Sequence, residues 1–153
     1  MVAITWDVRR FQELTVDQLF QTMQLRVNVF VVEQACAYPE LDAYDRHVEV
    51  RHLLGCDACG QVLAYARILP AGLCYPEVGL GRLVVSAQAR GCGMGHQLVQ
   101  RALYEIATCW PGSMVKIAAQ VYLQGFYEQH GFTPVSDPYL EDGISHMDML
   151  KSC

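Results

Sequence analysis

The sequence lacks the features of a membrane-spanning, disordered or repetitive chain. No stretch approaches the roughly 18 uninterrupted apolar residues that a bilayer crossing needs, so no membrane is expected as a partner. No linker rich in proline, glycine or serine, no internal repeat and no low-complexity tract interrupts its 153 residues. With 52% hydrophobic residues available for a core, we expect residues 1–153 to form a single domain.

Basic residues are also in short supply. Eleven Lys and Arg residues stand against 16 Asp and Glu residues, which gives a formal charge of −5. This balance offers no general attraction to a phosphate backbone, so nucleic acid is not an expected partner. Charged residues at positions 7, 9, 10 and 13 occupy the place of the apolar stretch of a signal peptide, which predicts a cytoplasmic protein.

Cysteine is present in a pattern that indicates neither disulfides nor a metal site. Seven cysteines are an odd number in a chain long enough to need no cross-links, so we expect reduced thiols. Cys56 and Cys59 form one Cys-x-x-Cys, which is half of a zinc site, and no second pair has the required spacing. This motif lies between two predicted strands, whereas a redox dithiol normally begins a helix. We expect no metal, and a zinc-supported structural module is the weakest alternative.

Hydrophobic spacing and capping residues predict a mixed α/β chain. Thr15, followed three residues later by Gln18, is typical of a capping box at the start of a helix. Further helices are expected from Met94 and in a short segment that ends at Gly131. Strands are predicted over 4–8, 52–57, 61–69, 79–85, 115–120 and 144–149. Helical spacing predicts that the first helix packs inward through Val16, Leu19, Phe20, Met23, Val27 and Phe30.

The strand over 79–85 leads into a glycine-rich loop and the second helix. Glycines at every second position from 91 to 95 leave backbone N–H groups free to converge at the positive end of the helix dipole, which suits a phosphate or pyrophosphate. A dinucleotide fingerprint would need glycine where His96 or Leu98 stands, and the Gly-Lys-Ser/Thr of a P-loop does not occur. A tight turn without a ligand is the alternative.

Two motifs resemble the signatures of the GNAT superfamily of acyl-CoA-dependent N-acyltransferases. They are Arg90-x-x-Gly93-x-Gly95 after a strand, and Gln120 followed by Phe126-Tyr127-x-x-x-Gly131-Phe132. Nearly the whole chain is similar to the ElaA-like family of that superfamily, through Leu25-Arg26-x-x-Val29-Phe30-Val31-Val32-Glu33-Gln34, Ala64-Tyr65-Ala66-Arg67, Gly81-Arg82, Ala119-Gln120 and Glu141-Asp142-Gly143-Ile144-x-His146. The resemblance implies the GNAT acyl-CoA N-acyltransferase fold, a mixed twisted sheet of about six to seven strands flanked by helices. Ser145 departs from the usual proline, and residues 34–51 are individual.

The resemblance also implies acetyl-CoA as co-substrate and assigns residues to it. The pantetheine arm would lie against the main chain of Leu83, Val84 and Val85 as an added strand. Gln120 stands where the superfamily commonly has asparagine and would contact the same arm. The pyrophosphate would be held by the Arg90 side chain and by the main chain of Gly91, Cys92, Gly93, Met94, Gly95 and His96.

Catalytic roles follow from the same resemblance. Tyr127 is the implied general acid, because a phenol with a pKa of about 10 can protonate a thiolate whose pKa is about 8.5. An amine acceptor needs a base, since an alkylammonium with a pKa of about 10.4 is neutral about once in 10³ molecules at pH 7. Glu33 and His146 are the motif-based candidates, and Asp148 on the same strand face could orient His146. Weaker candidates are Asp45, His52 and Glu141, and a water relay could replace any of the five.

The expected reaction is direct attack of an amine on acetyl-CoA, because no cysteine occupies a motif position suited to a covalent relay. The acceptor is a small-molecule or peptide amine, and acidic residues between positions 40 and 49 favour a cationic one. An acyl-homoserine-lactone-type synthase and a CoA-binding sensor without turnover are the alternatives. The oligomeric state stays open, a homodimer included, because no heptad pattern can be read.

Overall fold

The computed structural model describes residues 3–152. These residues contain three α-helices, Val16–Arg26 (α1), Met94–Cys109 (α2) and Gln124–Glu128 (α3), four short 3-10 helices, and a π-helical segment, Val27–Glu33, that continues α1. Among the described residues, no helix is both long enough and apolar enough to cross a membrane. One sheet contains the strands Thr5–Arg9 (β1), Arg51–Cys56 (β2), Val62–Leu69 (β3), Val78–Val85 (β4), Val115–Gln120 (β5), Thr133–Pro134 (β6), Tyr139–Glu141 (β7) and Ile144–Lys151 (β8).

The sheet is mixed and carries helices on both faces, which confirms the predicted fold class. Its order is β1-β2-β3-β4-β5-β8-β6, with β7 also paired to β8. Only β4 and β5, which α2 connects, are parallel among these pairs. Alternate residues of one strand face opposite sides, so Leu53 packs in the cluster with α2 and Leu54 in the cluster with α1. The sequence did not predict β6 and β7, because strands of two and three residues are too short to show alternation.

Helix α1 begins where the capping box predicts but buries a different face. The Thr15 hydroxyl accepts a hydrogen bond from the Gln18 N–H at 3.0 Å, and the Gln18 side chain accepts one from the Thr15 N–H at 3.0 Å. Val16 and Phe20 are 87% and 64% exposed, so the predicted inward face is wrong at these two residues, whereas Phe30 does pack against the buried cluster. Apolar spacing misplaces the face because two of the four buried residues, Thr22 and Arg26, are polar. The other two are Leu25 in α1 and Val29 in the π-helical segment that follows.

The two parallel strands separate soon after they pair. Register partners join β4 to β5 only at Val78 with Val115 and at Gly79 with Lys116. Farther along, β5 pairs with β8 and β4 pairs with β3, so the facing edges of β4 and β5 diverge. A bulge in β4 at this point places Arg82 in the left-handed region, at φ +52°. Such bulges commonly lie beside functional sites, and this one flanks the opening between the strands.

Candidate active site

A cavity of about 770 Å³ opens where β4 and β5 separate. This volume lies within the range of about 300–1,000 Å³ that is usual for small-molecule sites. Its walls combine β4, β5, the end of the π-helical segment, the glycine loop, α3 and the turn between β7 and β8. Of the residues assigned to the cofactor and the three main catalytic candidates, all line the cavity except Cys92 and His96.

The glycine loop presents free donors to this cavity. Gly91 and Gly93 have φ of +87° and +79°, a conformation that favours glycine, and Gly93 is the N-cap of α2. Between residues 3 and 152, no hydrogen bond occupies the amide N–H groups of positions 91 to 93. A Cβ atom added to Gly91 or Gly93 would meet no atom within 4 Å, so the space in front of the loop is open. The loop therefore fits an anion of pyrophosphate type at the start of a 16-residue helix.

Cys92 and His96 turn their side chains elsewhere. The Cys92 thiol donates to the carbonyl of Ala89 at 3.3 Å. The Nδ1 atom of His96 lies 2.9 Å from Nε2 of His130, and both rings lie against Phe126. Only the main chain of these two positions is available to a ligand in the loop.

Arg90, at the start of the loop, is paired with Glu33 at the end of the π-helical segment. Its Nη1 and Nη2 atoms lie 2.5 and 2.9 Å from the two carboxylate oxygens, and its Nε–H donates to the carbonyl of Val85 at 3.0 Å. The hydrogen bond from Arg90 lowers the pKa of Glu33. Two residues with separate sequence-predicted roles, anion binding and proton removal, are thus bound to each other.

Tyr127 lies in α3 and is 7% exposed. Its ring packs edge-to-face against Phe126 and Phe132, with centroids 5.1 and 5.9 Å apart. Burial raises the pKa of Tyr127 to about 12, so the phenol keeps its proton at neutral pH. Among the described residues, no hydrogen bond engages the Tyr127 hydroxyl, although the residue lines the cavity.

His146 is held in β8 with one nitrogen free. Its Nδ1 atom lies 2.7 Å from the carbonyl oxygen of Ile144, so Nδ1 carries the hydrogen and donates it. In a neutral ring this hydrogen bond leaves the lone pair on Nε2, which lies 3.8 Å from the Glu141 carboxylate. The ring stacks on Tyr139, and the Tyr139 hydroxyl donates to Asp148 at 2.6 Å.

The proposed orienting role of Asp148 does not match this arrangement. The Asp148 carboxylate accepts a hydrogen bond from the Tyr139 hydroxyl at 2.6 Å and lies 3.3 Å from the Lys116 ammonium. His146 is instead oriented by a main-chain carbonyl two residues before it. His146 and Asp148 are two residues apart in one strand, as predicted. The Asp148 carboxylate nevertheless contacts Tyr139 and Lys116, two cross-strand neighbours that the sequence could not identify.

A network of balanced charges is buried at one end and reaches the cavity at the other, where Asp42, Arg67 and Arg82 line it. Arg26, fully buried, donates to Glu40 at 2.6 Å and to Asp45 at 2.8 Å. Burial opposes ionisation of Asp45, yet hydrogen bonding to Arg26 and the charges of Arg26 and Arg67 lower its pKa to about 2. The network pairs three arginines with three carboxylates, namely Arg26, Arg67, Arg82, Glu40, Asp42 and Asp45.

The contacts of this network contradict two expectations from the sequence, namely that the acidic segment attracts a cationic acceptor and that Asp45 or His52 acts as the base. The acidic residues at positions 40, 42 and 45 are neutralised by arginines, and Glu49 lies near Arg10 and Arg51, so they give no support to a cationic acceptor. Asp45 and His52 are buried and do not line the cavity, so neither can serve as its base. The His52 ring is held between the Tyr65 hydroxyl at 2.6 Å and the Asp45 carbonyl at 3.0 Å.

The sequence reasoning missed the far end of the cavity. Its lining there includes Arg82 and the aromatic residues Tyr38, Tyr44 and Tyr75. One sequence signal could have identified Arg82, because Gly81-Arg82 is among the segments similar to the ElaA-like family. Tyr38 and Tyr75 lie in bends and Tyr44 lies in a four-residue 3-10 helix, and such short or irregular segments show no hydrophobic periodicity.

The Cys-x-x-Cys segment forms a hairpin turn away from the cavity. The Asp57 carboxylate accepts hydrogen bonds from the N–H groups of Cys59 and Gln61, both at 2.9 Å. Gly60 takes the left-handed conformation at φ +81°. Within residues 3–152, no group of three or more His, Cys, Asp or Glu side chains is arranged to hold a metal ion.

Comparison with known proteins identifies the family. Residues 17–153 match the acetyltransferase (GNAT) domain. The chain is 41% identical to protein ElaA of Escherichia coli over 148 residues, which are 97% of this chain and 96% of that protein. It is also 41% identical to a UPF0039 protein of Schizosaccharomyces pombe over 140 residues, 91% of each chain.

Solved structures agree with these sequence matches. The crystal structure of an acyl-CoA N-acyltransferase from Pseudomonas aeruginosa superposes with a TM-score of 0.93 at 40% identity, covering 98% of this chain and 100% of that one. Escherichia coli ElaA superposes with a TM-score of 0.92 at 40% identity and the same coverage. The acyl-homoserine lactone synthase BjaI shares the fold alone, at 18% identity. The chain belongs to the GNAT acetyltransferase family, in its ElaA-like branch.

Proposed function

We propose that residues 1–153 form one acetyl-CoA-dependent N-acetyltransferase domain that transfers an acetyl group to the amine of a small molecule or peptide. One observation carries the proposal: the free N–H groups of the glycine loop, the open edge of β4 and Tyr127 all face the same cavity. The family supports acyl transfer to nitrogen, and the acetyl group is the more specific part of the proposal. A cytoplasmic location is proposed with it, supported by six unpaired cysteines among the described residues.

In this proposal, the cofactor is bound by main chain more than by side chains. The N–H groups of residues 91–96 and the guanidinium of Arg90 bind the pyrophosphate. The main chain of Leu83 to Val85 binds the pantetheine arm along the edge that β5 leaves open. A backbone N–H at that edge also polarises the acyl carbonyl. Gln120, on the opposite strand, contacts the same arm from across the opening.

His146 is the general base of the proposal. With Nδ1–H donated to the Ile144 carbonyl, Nε2 is the atom that can accept a proton from the attacking amine. Glu33 is the weaker base because a carboxylate is less basic than an imidazole, and its pairing with Arg90 lowers its pKa further while the two are in contact. Glu141 lies 3.8 Å from Nε2, where its charge would stabilise the imidazolium that forms.

Tyr127 is the general acid of the proposal. A phenol with a pKa of about 12 is a weaker acid than an ordinary thiol with a pKa of about 8.5. The same burial that raises the pKa of the phenol also raises that of a thiol beside it, because both anions lose hydration. Tyr127 therefore stabilises the departing sulfur first as a hydrogen-bond donor and then by proton transfer.

The test is to incubate purified protein with acetyl-CoA and panels of amines, and to detect acetylated products by mass spectrometry. The panels comprise peptides with free amino termini, lysine peptides, polyamines and aminoglycosides. The proposal predicts a product acetylated on nitrogen, with one CoA released per product. Binding of acetyl-CoA without any acetylated product would support the sensor alternative, and turnover only with longer acyl-CoAs would correct the acetyl assignment.

A further inference from the structure

We infer that Glu33 and the pyrophosphate of the cofactor compete for Arg90, so that cofactor binding frees the Glu33 carboxylate to bind the ammonium group of the acceptor. The inference rests on the proposed function and extends it, because it assigns the acceptor amine a binding residue.

The first step concerns the guanidinium of Arg90, whose three nitrogens all have protein partners. Nη1 and Nη2 are directed at the two oxygens of Glu33, at 2.5 and 2.9 Å, and Nε is directed at the Val85 carbonyl. A phosphate oxygen pair is recognised by the same planar pair of N–H groups that Glu33 occupies. Arg90 therefore cannot make this bidentate contact with a pyrophosphate and keep the one with Glu33.

The second step concerns which anion prevails. The Arg90 and Glu33 side chains are 41% and 46% exposed, and exposed ion pairs contribute little because water competes for both partners. A pyrophosphate carries more charge than one carboxylate, and the free N–H groups of the adjacent loop bind it at the same time. The cofactor should therefore displace Glu33 from Arg90.

The third step concerns where the freed carboxylate lies. Glu33 precedes Gln34, whose Oε1 atom lies 3.4 Å from Nε2 of Gln120. Gln120 is the register partner of His146, so this contact joins the segment of Glu33 to the strand pair that holds the proposed base, and Glu33 and His146 both line the cavity. The three arginines of the charge network are balanced by its three carboxylates, so Glu33 has no counter-charge once Arg90 binds the pyrophosphate. An ammonium group supplies that counter-charge.

The experiment is a calorimetric titration of CoA into wild type, Glu33→Gln, Arg90→Gln and the double variant. Glu105→Gln is the matched control, because it removes the same charge from another Arg–Glu pair, Arg101–Glu105, outside this cavity. Competition predicts that Glu33→Gln binds CoA about two- to fivefold more tightly, the range expected for loss of an exposed ion pair. Glu105→Gln should bind as wild type does, and Glu33→Gln should give no gain when Arg90 is already glutamine.

The outcomes separate this inference from the proposed function. Unchanged or weaker CoA binding by Glu33→Gln would overturn the inference, as would a gain that persists undiminished in the Arg90→Gln background. Failure of wild type to bind CoA would overturn the proposed function and the inference together. With any amine that the enzyme acetylates, Glu33→Gln should raise the amine KM while lowering the acetyl-CoA KM, a split that a purely structural role would not produce.

Discussion

Gln120 and His146 lie directly opposite each other in the ladder between β5 and β8. Opposite residues of a ladder project from the same face of the sheet, and both residues line the cavity. One belongs to the motif that follows the glycine loop and the other to the last motif of the chain. Their register therefore places the proposed cofactor-binding amide next to the proposed base, at the opening between β4 and β5.

Replacing Tyr127 by phenylalanine tests the general acid. The variant keeps the ring that packs between Phe126 and Phe132 and loses only the hydroxyl. We expect kcat to fall by about 10²-fold or more, the usual contribution of a general acid, while acetyl-CoA binding is unchanged. Steady-state kinetics together with calorimetry make the measurement. A variant that acetylates as fast as wild type would show that Tyr127 is not the acid.

Replacing His146 by glutamine tests the general base. We expect kcat/KM to fall by about 10²- to 10⁴-fold at pH 7. The loss should shrink as the pH rises toward about 10, because the free amine then forms without help from the enzyme. His47→Gln is the control, since His47 lies outside the cavity lining and should retain wild-type rates. A loss for His146→Gln that is equally large at every pH would point to a structural defect.

Replacing Gly93 by alanine tests the loop conformation. The added Cβ meets no atom, so the expected effect comes from the left-handed φ of +79°, which costs a residue with a side chain roughly 1–2 kcal/mol. Chemical denaturation should show this loss, and calorimetry should show weaker acetyl-CoA binding. Gly125→Ala is the control, because Gly125 lies in α3, has space for a Cβ and has no positive φ. Equal behaviour of the two variants would contradict the assigned strain.

Replacing Arg26 by methionine tests the buried charge network. The change leaves Glu40 and Asp45 without a main partner in a buried site, which typically costs about 3–5 kcal/mol of unfolding free energy. Arg101→Met, which removes the exposed partner of Glu105, should cost less than about 1 kcal/mol. Urea denaturation of both variants measures the difference. Equal losses would show that the network contributes nothing beyond a surface pair.

Much of the fold could be predicted because its boundaries depend on local chemistry. The Thr15 capping box, the glycines before α2 and the apolar runs of β3 and β5 each act within a few residues, and the structure has those elements where they were expected. The inward face of α1 could not be predicted in the same way. Arg26 is buried there only because Glu40 and Asp45, 14 and 19 residues farther along the chain, neutralise it.

The candidate site could be predicted as a set of residues but not as a set of contacts. Motif residues from β4, the glycine loop, α3 and β8 do converge on one cavity. The ion pair between Glu33 and Arg90 joins residues 57 positions apart, and no local pattern encodes it. The left-handed Arg82 depends on a bulge, which arises from the pairing of β4 with β3 rather than from the residue itself.

The most direct test of the central claim is a calorimetric titration of the purified wild-type protein with acetyl-CoA, with NADH and ATP as controls. The account predicts saturable binding of one acetyl-CoA per chain, no comparable binding of NADH or ATP, and loss of the signal when Arg90→Glu is combined with Gly93→Trp. Absence of acetyl-CoA binding, or equal binding of all three compounds, would contradict the assignment of the cavity to an acyl-CoA.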